Sequence, residues 1–120
     1  MNNLNSILIE GNLTKDPEIH VTQNGRSLCK FPIANNRYYK NKEQEVVQET
    51  SFIQVETWGP LAESCGTYLE KGKKVRVVGR LRQDRWQTED SQNKERFLIV
   101  AEHVEFQSRP DKEGSEDDSE

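Results

Sequence analysis

Apolar and polar positions alternate through most of the first hundred residues, at the period of two that marks strands half-buried in a sheet. In SILIEGNL (residues 6–13), Ile7 and Ile9 fall on one face, Leu8 and Glu10 on the other. The turn dipeptides Asp16-Pro17 and Asn24-Gly25 bracket a short strand at 18–22, the second being a strong hairpin signal. Residues 27–39 predict a second long strand, in which Pro32 implies an edge or a bulge. Residues 40–49 are polar apart from Val46-Val47 and predict a protruding loop or hairpin tip; residues 50–58 predict a third long strand. The period then lengthens. Leu61, Cys65, Tyr68 and Leu69 recur at helical spacing behind Pro60, with Gly72 placed as a C-terminal cap. Alternation returns at 74–86 and, after the polar run 87–95, at 96–107, where apolar residues occupy both faces.

This order, all-β with one short helix between the third and fourth long strands, is the plan of the OB-fold, a five-stranded, partly open barrel. A chain of 120 residues fits one such domain, here 1–107, and 108–120 (SRPDKEGSEDDSE) predicts a disordered acidic tail. A mean hydropathy of −0.98 and 32% charged residues imply a thin core, too small for a large enzyme.

The alternation also exposes a contradiction. In the third long strand Ile53, Val55 and Thr57 mark the core face, which sends Phe52 and Trp58 outward with Gln54 and Glu56. In the fourth, Val75, Val77 and Leu81 face inward, and Trp86 shares the outer face with Arg76, Val78, Arg80, Arg82 and Asp84. Tyr38-Tyr39, between Arg37 and Lys40, closes the second in the same manner. Exposed rings among cations suit single-stranded nucleic acid: bases stack on the rings at about 1–3 kcal/mol each, and Lys or Arg track the phosphates. Duplex hides its base faces and gains the charge interaction alone. Two plainer readings stand beside this one: Trp86 as a cation–π pair with its arginines, and Phe52 or Trp58 as contacts to a neighbouring subunit.

Net charge, −4, points the other way until it is divided. The last ten residues carry six acids against one lysine, a net −5, which leaves +1 for residues 1–110. Local basic clusters on a near-neutral body are compatible with an anionic partner. Cys29 and Cys65 lack C-x-x-C spacing and read as small buried hydrophobes. No apolar run approaches a membrane span and MNNLNSILIEGNL has no secretory pattern, so the expected location is the cytoplasm, nucleoid-associated, without membrane contact.

The chain resembles the bacterial single-stranded DNA-binding proteins of the homotetrameric type. The resemblance runs from Leu4 to Gln107, through LIEGNLTKDPEI, the Asn24-Gly25 turn, WGPLAE, YLEKGKKVRVVGRLR and Arg85-Trp86. It implies a non-catalytic protein that coats single-stranded DNA in replication, recombination and repair. By motif position it implies Tyr39, Phe52, Trp58 and Trp86 as stacking residues, Phe52 and Trp58 exchanging the family's usual tryptophan and phenylalanine. The phosphate contacts expected around them are Arg37, Lys40, Lys73, Arg76, Arg80, Arg82 and Arg85. Asp84 stands where a basic residue is common, which weakens the local phosphate contact. The resemblance also implies a homotetramer, with the segment that begins at Ser6 and ends at Leu13 pairing across a dimer interface. The tail departs from the family: the long Gly/Pro/Gln-rich linker is nearly absent and EGSEDDSE lacks the terminal Pro-Phe. Weak or absent binding of the usual tail-docking replication and repair partners is expected.

Enzymatic readings fail on spacing. Five residues separate Gly66 from Gly72 where a Walker A loop requires four, and Lys74 stands where that loop needs Ser or Thr. His20 and His103 have no metal-ligand spacing, no cofactor is implied, and no nucleophile–base pair can be nominated. The rival from another class is an OB-fold protein-interaction module of the primosome-adaptor type, with weak nucleic-acid binding. That reading predicts loss of stacking aromatics, whereas all four positions here are aromatic. An RNA-binding OB protein is a third reading, since the sheet alone does not distinguish the two sugars.

Overall fold

Each segment of two-residue periodicity forms a strand in the computed structural model, which describes residues 1–107: β1 (Ile7–Leu13), β2 (Glu18–Val21), β3 (Ser27–Lys40), β4 (Val46–Trp58), β5 (Lys74–Gln87) and β6 (Asn93–Phe106). The helix α1 spans Pro60–Tyr68. The tail expected at 108–120 lies outside the described residues. The strands form one sheet in the order β1-β5-β6-β4-β3-β2, and β1 also pairs with β3 through Asn12↔Ala34 and Leu13↔Ile33. That second pairing makes β1, β3, β4, β5 and β6 the expected five-stranded OB barrel, closed rather than partly open. β2 is a short flap, paired only to the start of β3.

The core is the inward face of this alternation: Phe31, Ile33, Val55, Val75, Val77 and Ile99 are buried together, and α1 adds Ala62 and Cys65. Thr57, also buried, donates its hydroxyl to the Cys29 carbonyl at 3.1 Å, so its polar atom is satisfied. Both cysteines are fully buried and unbridged. Burial pushes the Cys65 thiol up to about 12 and raises that of Cys29 as well, so both act as neutral hydrophobes at physiological pH.

Several local expectations are corrected. The polar runs at 40–49 and 87–95 are strand at both ends rather than loop throughout: the ladders continue to Lys40↔Val46 and Gln87↔Asn93, giving two long hairpin arms with short turns. Backbone pairing within each arm needs no buried face, which is why apolar periodicity does not mark it. Pro32 sits in mid-strand with no register shift in the β3–β4 ladder. Its missing N–H is tolerated where β3's second edge changes partner, from β2 at Lys30 to β1 at Ile33. The helix ends at Tyr68, and Gly72, at φ +92°, instead serves the following turn, where its N–H donates to the Leu13 carbonyl. Tyr68 is exposed and lies beside Phe106, outside the helix's buried face. Leu81 is half-exposed on the inward side because β1 ends at Ile7, opposite Gly79, and leaves that stretch of β5 uncovered. The Asn5 side chain bonds both the N–H and the carbonyl of Leu81 in place of a strand.

Candidate nucleic-acid interface

The register settles which side chains share a face. The β3–β4 ladder runs unshifted from Leu28↔Trp58 to Lys40↔Val46, so Phe52, Gln54, Glu56 and Trp58 stay on the outer side along β4. β6 runs parallel to β4 with Glu56 beside Val100, and antiparallel to β5 with Arg80↔Val100, Arg82↔Leu98, Asp84↔Arg96 and Trp86↔Lys94. One continuous outer surface over β4, β6 and β5 therefore carries Phe52, Trp58 and Trp86 with several cations. Phe52 is 69% exposed, Trp86 is 47% exposed, and Trp58 is partly covered.

Tyr39 does not join them. It pairs with Val47 in the same register that sets Ile33 against Ile53, so it lies on the opposite face of the β3–β4 arm, with Arg37. Tyr38 has the parity of Phe52. The four expected stacking residues thus divide three to one within a single chain.

The surface between the rings is partly dry. Leu98 and Val100 are buried on this outer side, and Glu56, expected among solvated polar residues, is only 3% exposed. A carboxylate at that depth needs a partner. Arg82 supplies it through Nη2 at 2.9 Å from Oε1, while its Nε donates to Asp84 at 3.0 Å. These bonds hold the Asp84 carboxyl below its usual range and raise the guanidinium of Arg82, the Arg82–Asp84 bond being the main cause of both shifts.

Ion pairing also occupies most of the expected phosphate contacts. Arg37 approaches Glu49 at 3.7 Å, Arg76 bridges Glu10 and Glu105 at 3.1 and 3.2 Å, and Arg80 lies 3.8 Å from Glu102. The bond from Arg76 holds Glu10 below the usual carboxylate range, with Lys74 adding to the effect. Lys40, Lys73 and Arg85 have no carboxylate partner among the described residues, and Arg85 donates to the Gln83 amide oxygen. Arg80 and Arg82 share the outer face with the aromatics; Arg85 has the opposite parity, with Gln83, but still lines a groove with Trp86, whereas Arg37 and Lys40 belong to the β3–β4 arm. Arg76 and Lys73 lie at the far end of β5, Arg76 about 33 Å from Trp86 at ~3.3 Å per residue. The structure does not bring those two to the rings of their own chain.

Two grooves border the rings. One, of about 490 Å³, is lined by Arg85, Trp86, Asn93, Lys94 and Glu95. The other, of about 460 Å³, is walled on one side by Trp58 and also receives Arg26, Arg80 and Arg82. Sequence reasoning missed two arginines here. Arg26 lies 4.7 Å over the Trp58 ring and Arg96 5.9 Å from that of Trp86; a third guanidinium, Arg37, lies 5.0 Å over Tyr39. Arg96 could have been found by counting back along the β5–β6 hairpin, but Arg26 could not, because its approach to Trp58 depends on tertiary pairing.

Known proteins resemble this chain in sequence and in fold. The family model described as the single-strand binding protein family matches residues 4–107. The single-stranded DNA-binding protein of Aquifex aeolicus is 38% identical over 107 residues, covering 89% of this chain and 72% of that one. That of Thermotoga maritima is 36% identical, covering 91% and 77%. The Treponema pallidum protein is 38% identical, but this chain spans only 59% of its length. Among solved structures, the Plasmodium falciparum SSB complex with ssDNA superposes with a TM-score of 0.83 over 90% of this chain and 98% of that one. At 24% identity, that likeness concerns the fold alone.

Proposed function

Since the chain belongs to the single-strand binding protein family, we propose that it coats single-stranded DNA without catalysis and with little sequence preference, serving replication, recombination and repair. The observation that carries this reading is the outer surface of β4, β6 and β5, where Phe52, Trp58 and Trp86 stand exposed or half-exposed among arginines. Stacking supplies sequence-tolerant affinity because every base has a π-face. Arg80, Arg82 and Arg85, with Lys40 on the neighbouring arm, meet the phosphates. Because Arg80 and Arg82 already neutralise carboxylates, DNA phosphates must displace internal partners at those two. The net counterion release is small, and binding depends only modestly on salt. A protein-interaction module has no need of three outward rings in one register.

The same reading makes the protein a homotetramer. β1 is paired to β5 from Ile7 to Asn12, but its other edge meets β3 only at Asn12 and Leu13. Leu8, 70% exposed, projects beside that open edge. A second copy of β1 satisfies the edge and covers the leucine. In such an assembly Tyr39, Lys73 and Arg76 serve a DNA path that crosses from one subunit to the next. Among the described residues no helix is long and apolar enough to cross a membrane, which fits a cytoplasmic site of action.

Sedimentation of the protein with fluorescein-labelled oligo(dT) and excess unlabelled duplex tests both parts. The expected result is a particle of four chains that carries the oligonucleotide despite the duplex. Displacement by equal-length duplex would refute single-strand selectivity, and a 13.9 kDa particle would refute the assembly.

A further inference from the structure

Arg26 follows the Asn24-Gly25 turn, and its backbone is fixed by that hairpin: the Thr22 N–H donates to its carbonyl at 2.9 Å, and its own N–H donates to the Thr22 hydroxyl at 3.2 Å. The hairpin is anchored beside the end of β4, where the Gly59 N–H donates to the Ser27 carbonyl at 2.9 Å and Leu28 pairs with Trp58. The side chain is exposed, and its guanidinium rests 4.7 Å over the Trp58 ring.

The three arginines of the Trp58 groove differ in what holds their charge. Arg80 faces Glu102, and Arg82 is held by Glu56 and Asp84. Arg26 makes no ion pair among the described residues. The two other guanidiniums that lie over aromatic rings, Arg37 and Arg96, each approach a carboxylate, Glu49 and Asp84 respectively. Arg26 is thus a cation that needs no internal bond broken to meet an anion, held at a half-exposed aromatic that borders an open groove. A guanidinium is weakly hydrated, stacks on rings, and offers a planar fork to phosphate oxygens.

We propose that Arg26 is a nucleic-acid ligand: it moves off the Trp58 ring when a base stacks there, and takes the phosphate of that same nucleotide. This rests on the single-stranded DNA reading above and adds the β2–β3 hairpin to the binding surface. In the free protein the guanidinium keeps water from one face of the ring. In the complex the same group neutralises a charge, so each partner of the cation–π contact exchanges it for a stronger ligand contact.

The test is fluorescence anisotropy of labelled oligo(dT) with the full chain, titrated between about 50 and 200 mM salt. Arg26→Ala is expected to bind about tenfold more weakly at the low-salt end, the order of one charge-assisted contact. Its slope of log affinity against log salt should be shallower by about 0.7, the value for one lost phosphate contact on a single strand. Arg26→Lys should restore the slope. An unchanged slope in Arg26→Ala, or a lost slope that lysine does not restore, would overturn the phosphate contact. Tighter binding by Arg26→Ala would also overturn it, because the arginine would then merely obstruct the ring. Failure of the unaltered chain to bind oligo(dT) would overturn the broader reading as well, and is distinguishable because it needs no variant.

Discussion

The double variant Trp58→Ala/Trp86→Ala loses about two orders of magnitude or more in affinity for oligo(dT). Each ring is expected to contribute about 1–3 kcal/mol by stacking a base, and 1.4 kcal/mol corresponds to a factor of ten. The two sit on different strands, β4 and β5, and border separate grooves, so their losses should largely add. Trp86 is half-exposed on a hairpin arm outside the barrel core, so its removal opens no cavity. The variant has no tryptophan left, so binding must be read by labelled-oligonucleotide anisotropy. Trp58→Phe/Trp86→Phe keeps both π-faces and should retain most of the affinity. A double alanine variant that binds within twofold of the parent would show that charge, not stacking, carries the complex.

Gly79→Ala unfolds the barrel at temperatures the parent tolerates. A β-carbon at this position would lie 2.2 Å from the Val100 carbonyl oxygen and 3.0 Å from the Ala101 Cα. Both atoms are backbone, so no side-chain rotation relieves the overlap. The crowding has a cause in the register: Gly79 pairs with Ala101 but Val78 with His103, so β6 carries one extra residue and bulges there. Overpacking costs about 1–3 kcal/mol in ordinary cores, and a rigid contact of this kind belongs at the top of that range or above it. Thermal denaturation should show a fall of more than about 10 °C, at the ~4–8 °C per kcal/mol expected of a domain this small. A shift of only a degree or two would mean that β6 can move away, and that the bulge does not fix the register that aligns Trp86 with Phe52 and Trp58.

That register marks the boundary of what alternation could reveal. Assigning Phe52, Trp58 and Trp86 to an outer face needs only the parity of each strand, and the parity is written in Ile53, Val55, Val75 and Val77. The OB plan likewise follows from element order. Glu56 shows where parity stops: it lies on the predicted face, yet Leu98, Val100 and Arg82 around it come from strands more than twenty residues away, and their neighbourhood makes the site dry. Tyr39 sits beyond the last core residue of β3, where no apolar neighbour declares a face, so its place rests on motif position alone and its parity is not legible in the sequence. A sequence shows charges but not their partners, so the ion pairs made by the expected phosphate contacts are not legible in it. Arg76 is the clearest case, held between Glu10 of β1 and Glu105 of β6. Arg26 was overlooked for the converse reason: it belongs to a turn, and only folding carries that turn to Trp58.

The central claim is that bases stack on exposed tryptophans, and intrinsic tryptophan fluorescence reports that contact itself. Titration of the unaltered chain with oligo(dT), beside equal-length duplex and at two salt concentrations, should give strong quenching by the single strand, little by the duplex, and modest sensitivity to salt. Absence of quenching by oligo(dT) at low salt would contradict the account and leave the outer rings to a protein partner.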